Sequence, residues 1–340
     1  MPVREARHVE MPVNPMPPWT LLPSRALLNL LSPGGSSSRL TILIYHRVLP
    51  RPDLLFPGES DAENFDHQMK QLAGCFKIIS LLDAVHGLRE GKLPPRAACI
   101  TFDDGYADNA EIALPILQKH GIPATFFVST GFLDGGRMWN DTVIELIRRA
   151  PGDTLDLASI GLGQFETGTL PQRRQAIHSV LDALKYLPLE VRRSRVEEMC
   201  ALIPVIPAGN LMMTSDQVRL LHGAGMEIGG HTVNHPILAR LENDAARAEI
   251  AHGKETLEGI IRAPVRLFAY PNGKPGRDYL ADHVRMVREL GFDAAVSTAH
   301  GAAKVDMDLY QLPRFTPWDR EPVRFMLRMA QNMLKSIDTV

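Results

Sequence analysis

The sequence predicts an α/β fold built on a parallel sheet, and three observations carry that expectation. Of the 340 residues, 45% are hydrophobic and 22% charged, enough apolar material for one large α/β domain or two small ones. From Leu40 onward, short apolar runs alternate with longer helical stretches, the pattern of strand–crossover–strand units. Turn signals bound the runs.

Taken in order, residues 1–38 read as a proline-rich arm and linker. Pro12, Pro15, Pro17 and Pro18 precede an apolar patch, Leu27 to Leu31, that can dock as a short amphipathic helix, and Pro33 to Ser38 reads as a linker. The main domain spans 39–320. Its expected strands are Leu40–Tyr45, Ala97–Phe102, Ala124–Ser129, Met226–Ile228, Val265–Ala269, Ala294–Thr298 and Tyr310–Phe315. Between them lie expected helices at Asn64–Leu72, Asn109–His120, Ser215–His222, Ala245–Ile261 and Asp278–Leu290. Asp108 with Glu111 reads as a capping box, Gly121 as a helix stop, and Thr214 or Ser215 as a further N-cap. Residues 137–213 break the alternation. They carry helices near Asp141–Arg149, Gln172–Leu187 and Leu189–Leu202 but no strong strands, and so read as a helical insertion: a lid, a substrate platform, an oligomer surface or padding. A C-terminal helix is expected over 321–340.

The formal net charge of −2 supplies no concentrated basic face, so nucleic acid is not an expected partner. Cys75, Cys99 and Cys200 are dispersed and odd in number, which argues against a zinc ribbon or a disulfide framework. No apolar run approaches the roughly 18–20 residues of a membrane helix. The N-terminal residues do not show a basic start followed by an apolar core and a small-residue cleavage site. These features lead us to expect a cytoplasmic protein, with the cell envelope as the alternative.

Two segments carry candidate chemistry. In Thr101-Phe102-Asp103-Asp104-Gly105-Tyr106 an apolar strand runs into two adjacent carboxylates and a glycine turn. Loops after the carboxyl ends of parallel strands are where such folds build active sites. Neighbouring aspartates repel, a cost that a cation or a division of roles offsets; the bland alternative is a solvated capping turn. The second segment, His231-Thr232-Val233-Asn234-His235, also follows a short strand, and Pro236 argues for a loop or single turn. Alone, such a histidine pair is more often a surface feature. Together, one carboxylate and two imidazoles form a metal-ligand set with positions open to water and substrate, leaving the other aspartate as a base.

These motifs resemble the first two signature motifs of the polysaccharide deacetylases, and the resemblance extends from about Leu40 to Trp318. It implies a distorted (β/α)7 barrel carrying the helical insertion. It also implies Asp103 as catalytic base, with Asp104, His231 and His235 holding a divalent metal, commonly zinc. Phe268-Ala269-Tyr270-Pro271-Asn272-Gly273 resembles a third motif, in which Asn272 offers a backbone N–H to the oxyanion. Many members have an arginine at the position of Ala269 to orient the base, so another group must serve here, and Arg314 is a candidate. The family's closing histidine–aspartate pair is absent. His300 is the candidate general acid. His46, in a Tyr45-His46-Arg47-Val48 segment similar to the biofilm-type members, is a candidate site residue. Tyr106, Trp139, Tyr270 and Trp318 are candidate sugar-stacking aromatics, with barrel packing as the alternative.

The implied activity is hydrolytic removal of N-acetyl groups from an N-acetylhexosamine-containing oligo- or polysaccharide; the expected partner is an N-acetylated carbohydrate, either a lipid-linked or nascent exopolysaccharide, a chitooligosaccharide or another N-acylated sugar, with a biosynthetic substrate favoured over mature cell wall. The rivals are an amide or ureide hydrolase on the same scaffold and a degenerate carbohydrate-binding protein.

Overall fold

The computed structural model describes residues 22–207 and 209–340; the four prolines of the expected arm lie outside them. Helix α1, Leu22–Leu31, leads in, and its Leu28 is buried in the main core, so the apolar patch does dock. Next come β1 (Thr41–Tyr45), α2 (Ala62–Cys75), β2 (Lys77–Ile78), α3 (Leu81–Glu90) and β3 (Ala97–Phe102). Helix α4 (Leu114–His120) and β4 (Ala124–Val128) precede the segment that breaks the alternation. That segment holds α5 (Trp139–Arg149), a hairpin of β5 (Thr154–Leu157) and β6 (Gly163–Glu166), α6 (Leu170–Lys185) and α7 (Leu189–Leu202). The chain then continues through α8 (Ser215–Gly223), β7 (Glu227–Gly230), α9 (Asn243–Ile261), β8 (Leu267–Ala269), α10 (Ala281–Glu289), β9 (Ala294–Val296) and α11 (Pro322–Asn332).

Every pairing in the main sheet is parallel, in the order β1-β3-β4-β7-β8-β9, with β2 added at the start of β3. β1, β3 and β4 are buried along their whole length, as strands covered on both faces must be. Side-chain alternation divides β3 between two apolar clusters: Ala98, Ile100 and Phe102 enter one, Ala97 and Cys99 the other. The sheet curls into the expected barrel, so the carboxyl ends of its strands share one rim.

The expected strand Tyr310–Phe315 forms no regular strand. A 3-10 turn takes Leu309–Gln311, and two isolated parallel bridges follow, Val296 with Leu312 and Leu43 with Phe315. Pro313 has no N–H to donate between them. This irregular segment nonetheless links the two edge strands, β9 and β1. The Asp108 capping box is also corrected. The Asp108 carboxylate accepts from Arg47 Nε at 2.8 Å and from the Val48 N–H at 3.2 Å, and the helix starts as a π turn over Asn109–Ala113. Gly121 and Thr214 do stop and cap their helices. The C-terminal helix is shorter than expected, because after Asn332 the chain turns back and the Val340 N–H reaches Gln311 Oε1 at 2.8 Å. Among the described residues, no helix is long and apolar enough to cross a membrane.

The segment from α5 to α7 has an apolar cluster of its own, built from residues such as Val143, Leu146, Leu157, Ile177, Val180, Leu184 and Met199, with Leu55 added from the β1–α2 connection. Its antiparallel hairpin was not expected from the sequence.

Candidate active site

Asp103 and Asp104 leave β3 at the rim. The chain can turn there because Gly105 takes φ 92° and packs its α-carbon where a Cβ would come within 2.9 Å of Val128 Cγ1. Asp104 itself has φ 76°, a conformation that costs an L-residue energy and re-aims its side chain. His231 follows β7 directly, and its loop makes no helical turn: Thr232 and His235 both have positive φ. Helix α9 braces this loop. Glu249 accepts from the N–H groups of Val233 (3.0 Å) and Asn234 (2.8 Å). Gly253, one turn on, lies so close that a Cβ would meet the Thr232 carbonyl carbon at 2.9 Å.

The two motifs converge. Asp104 Oδ1 is 3.4 Å from His231 Nε2 and 3.4 Å from His235 Nε2. One ligand atom from each of the three residues lies within 4.8 Å of the others. Asp104 Oδ1 is buried and has no hydrogen-bond partner, an arrangement that is costly unless a cation completes it. His231 Nδ1 is 2.7 Å from the Ala269 carbonyl, so it carries the proton and leaves Nε2 free as a ligand. Burial pushes His235 down to about 4, which makes it a neutral imidazole. Burial also works to lower His231, but Asp103 and Asp104 outweigh it and raise the group: two buried carboxylates draw positive charge to this point. Carboxylate and imidazole donors together suit a divalent metal such as zinc.

Asp103 sits beside the triad, with Oδ2 4.0 Å from His231 Nε2. Arg314 grips it in bidentate fashion, Nη1 to Oδ1 at 2.6 Å and Nη2 to Oδ2 at 2.7 Å, while Arg314 Nε donates to the Ser297 carbonyl at 2.9 Å. All of this is buried. Burial alone would raise the Asp103 carboxyl, but Arg314 and His231 outweigh it and hold it below the usual carboxylate range. An arginine from the irregular segment after β9 therefore fixes Asp103 where Ala269 offers no charged partner.

A cavity of about 390 Å3 opens on the group, within the roughly 300–1,000 Å3 usual for ligand sites. Asp103, Asp104, His231, His235, Asn272, His46 and Tyr106 all line it. Five expected site residues do not: Arg314, buried behind Asp103, and His300, Tyr270, Trp139 and Trp318. His300 is largely exposed, and partial burial together with Lys335 and Lys274 lowers its pKa; Gly301 after it is tied to Asn332 and directs the turn toward α11. Tyr270 is fully buried and stacks on Tyr279 at 3.9 Å, as barrel packing. Trp139 lies against Arg192 inside the inserted segment. Trp318 is 65% exposed, beside a smaller cavity that His46 and Arg47 also line. Sequence reasoning missed the opposite wall, where Asn140, Asp141, Ile144, Glu145 and Arg148 of α5 face the cavity. Their spacing was the available signal: polar residues at i, i+4 and i+7 among apolar neighbours mark a helix face that is buried yet polar.

Comparison with known proteins agrees with this geometry. The model of the polysaccharide deacetylase family matches residues 90–156 and 193–295, half of the chain. The chain belongs to the polysaccharide deacetylase family. Within it, the chain is 33% identical over 140 residues to the poly-beta-1,6-N-acetyl-D-glucosamine N-deacetylase of Staphylococcus aureus, a match covering 37% of this chain and 47% of that protein. The stretch shared with that relative is thus about half of the relative's length. Among solved structures, the Streptococcus pyogenes deacetylase PplD, in complex with acetate, superposes with a TM-score of 0.58 at 19% identity, covering 87% of this chain and 99% of PplD. IcaB from Ammonifex degensii gives a TM-score of 0.55 at 19% identity, covering 89% of this chain and 98% of IcaB. Both share the barrel of this deacetylase.

Proposed function

We propose that this deacetylase removes N-acetyl groups from an N-acetylhexosamine-containing oligo- or polysaccharide, with Asp103 as base and Asp104, His231 and His235 as ligands of a divalent metal, zinc being the natural choice. One observation carries the reading: the orphaned, buried Asp104 Oδ1 midway between two imidazole Nε2 atoms, with a second carboxylate alongside. The activity named for the S. aureus relative supports the substrate class.

A metal held there supplies Lewis-acid activation of water and of an amide carbonyl. The rest falls to the protein. Asp103, kept ionised and fixed in orientation by Arg314, accepts the proton of the attacking water. The Asn272 backbone N–H faces the developing oxyanion, a contribution of roughly 3–4 kcal/mol in hydrolases of this kind. His46, the cavity-lining histidine outside the ligand set, donates a proton to the leaving nitrogen. Acetate and a free amino sugar result.

The test is metal analysis of the purified protein together with acetate release from N-acetylglucosamine oligomers. The wild type retains a divalent ion and releases acetate, and chelation stops it. Asp103→Asn keeps the ion but loses turnover by about 10²–10⁴-fold. Undiminished turnover in that variant overturns the base assignment. A metal-loaded wild type that frees no acetate overturns the function.

A further inference from the structure

Beyond β1 the chain leaves the sheet, and His46, Arg47 and Val48 run without regular structure before the bridge at Leu49. Two consecutive side chains downstream of β3 hold all three residues. Asn109 Nδ2 donates to the His46 carbonyl at 2.8 Å. Asp108 Oδ2 accepts from Arg47 Nε at 2.8 Å, and its Oδ1 accepts from the Val48 N–H at 3.2 Å. Both residues are buried, and neither lines the cavity. Arg47 also lies over the ring of Tyr106, its guanidinium carbon 4.9 Å from the centroid. The stretch that carries the proposed base Asp103 and the proposed metal ligand Asp104 therefore also grips the segment that carries His46.

This grip is kept at the expense of what the two residues would otherwise do. Asp108 stands at the N-cap of its helix, where a carboxylate ordinarily accepts from the first turn, yet it makes no side-chain cap. Asn109 keeps a buried Oδ1 without a hydrogen-bond partner, a costly arrangement. Its amide is nonetheless fixed in orientation. Reversed, Oδ1 would face the His46 carbonyl and the Asp108 carboxylate, whose Oδ1 now lies 3.2 Å from Nδ2. The helix behind the pair starts as a π turn, a form that recurs at functional sites. His46 itself is exposed at the cavity, and among the described residues none hydrogen-bonds its ring. The place of that ring follows from the backbone at residue 46, which Asn109 holds.

We infer that Asp108 and Asn109 are positioning residues for proton delivery: they hold His46–Val48 so that the His46 ring faces the leaving nitrogen, and touch neither metal nor substrate themselves. The inference rests on the deacetylase reading and the His46 role proposed above. In that step the C–N bond breaks as the nitrogen takes the imidazole proton. An amine cannot leave without that proton, whereas 4-nitrophenolate leaves as a stable anion. Turnover of an N-acetylglucosamine trimer is therefore compared with hydrolysis of 4-nitrophenyl acetate. Asn109→Ala lowers kcat on the trimer by about tenfold or more at little change in KM, the scale of a misplaced catalytic group, and changes ester hydrolysis far less. In a His46→Ala background it causes no further loss. Should Asn109→Ala fail to fold, Asp108→Asn, which keeps the shape and an acceptor for the Val48 N–H, gives the same amide-selective loss at smaller size. Equal losses on amide and ester, or a full additional loss on top of His46→Ala, overturn the positioning role and leave the deacetylase reading standing. Undiminished trimer turnover in His46→Ala removes the proton-donor assignment and the inference with it. A wild type that frees no acetate from the trimer is a different result and removes the deacetylase reading itself.

Discussion

The rim of the barrel and the segment from α5 to α7 solve opposite problems. At the rim, the backbone bends to serve the side chains. Of the eight non-glycine residues with positive φ among the described residues, Asp104, Thr232, His235 and Asn272 belong to the site loops. None lies between 137 and 213. In that segment the helices are conventionally built, with α6 opened by a Thr169–Gln172 capping box and closed over its own apolar cluster. Its departure from convention is the polar, cavity-facing side of α5. Strain is concentrated where chemistry needs atoms in fixed places, while the inserted segment keeps to ordinary helical geometry.

The largest effect is expected at the rim. Arg314→Met strands Asp103 as a buried, unpaired charge, which costs about 3–5 kcal/mol out of a typical total of 5–15. Denaturant unfolding will show it. The pH dependence has a definite sign. In the wild type Arg314 depresses the Asp103 carboxyl, so its stabilisation is present above the ordinary carboxylate pKa and lost as pH falls through the depressed value. The gap between wild type and variant should therefore be full at pH 7 and shrink on acidification below about pH 4. A gap independent of pH would show that Arg314 acts by packing alone.

Most of the barrel was legible because strands buried on both faces appear as unbroken apolar runs, and six of the seven expected runs became strands. The convergence of Asp104, His231 and His235 was legible because each motif abuts such a run. What escaped has identifiable causes. The β5–β6 hairpin alternates burial in four residues, Thr154 to Leu157, too short a pattern to outweigh the helices around it. Asp108 matches a capping box in sequence, but Arg47, 61 positions away, claims its carboxylate. Tyr270 and Trp139 look like sugar platforms until packing absorbs them. Arg314 could be nominated from sequence, but its bidentate grip on Asp103 depends on the irregular segment that bridges the barrel edges.

The second effect tests whether the inserted segment is a unit. Leu184 is 0% exposed in its cluster, and Leu184→Ala should cost about 2–5 kcal/mol. Because that cluster draws only Leu55 and the part-buried Phe56 from outside residues 137–213, calorimetry should show an early transition separate from the barrel's, with any bound metal retained through it. A single transition displaced as a whole would mean that the two regions fold as one.

The smallest effect separates strain kept for function from strain that serves nothing. Arg262 ends α9 at φ 54°, exposed and away from the cavity. Glycine adopts that conformation freely, so Arg262→Gly should gain about 0.5–1 kcal/mol with unchanged acetate release. Thr232 has a similar φ of 66°, and β-branching makes it the worse misfit. Yet its Oγ1 accepts from the His235 N–H at 3.1 Å and so fixes the backbone that carries a proposed metal ligand. Thr232→Gly relieves the same strain but frees that ligand, and should lose metal affinity while gaining little stability. Equal behaviour of the two variants in both metal retention and unfolding would show that the bent rim backbone has no part in holding the triad.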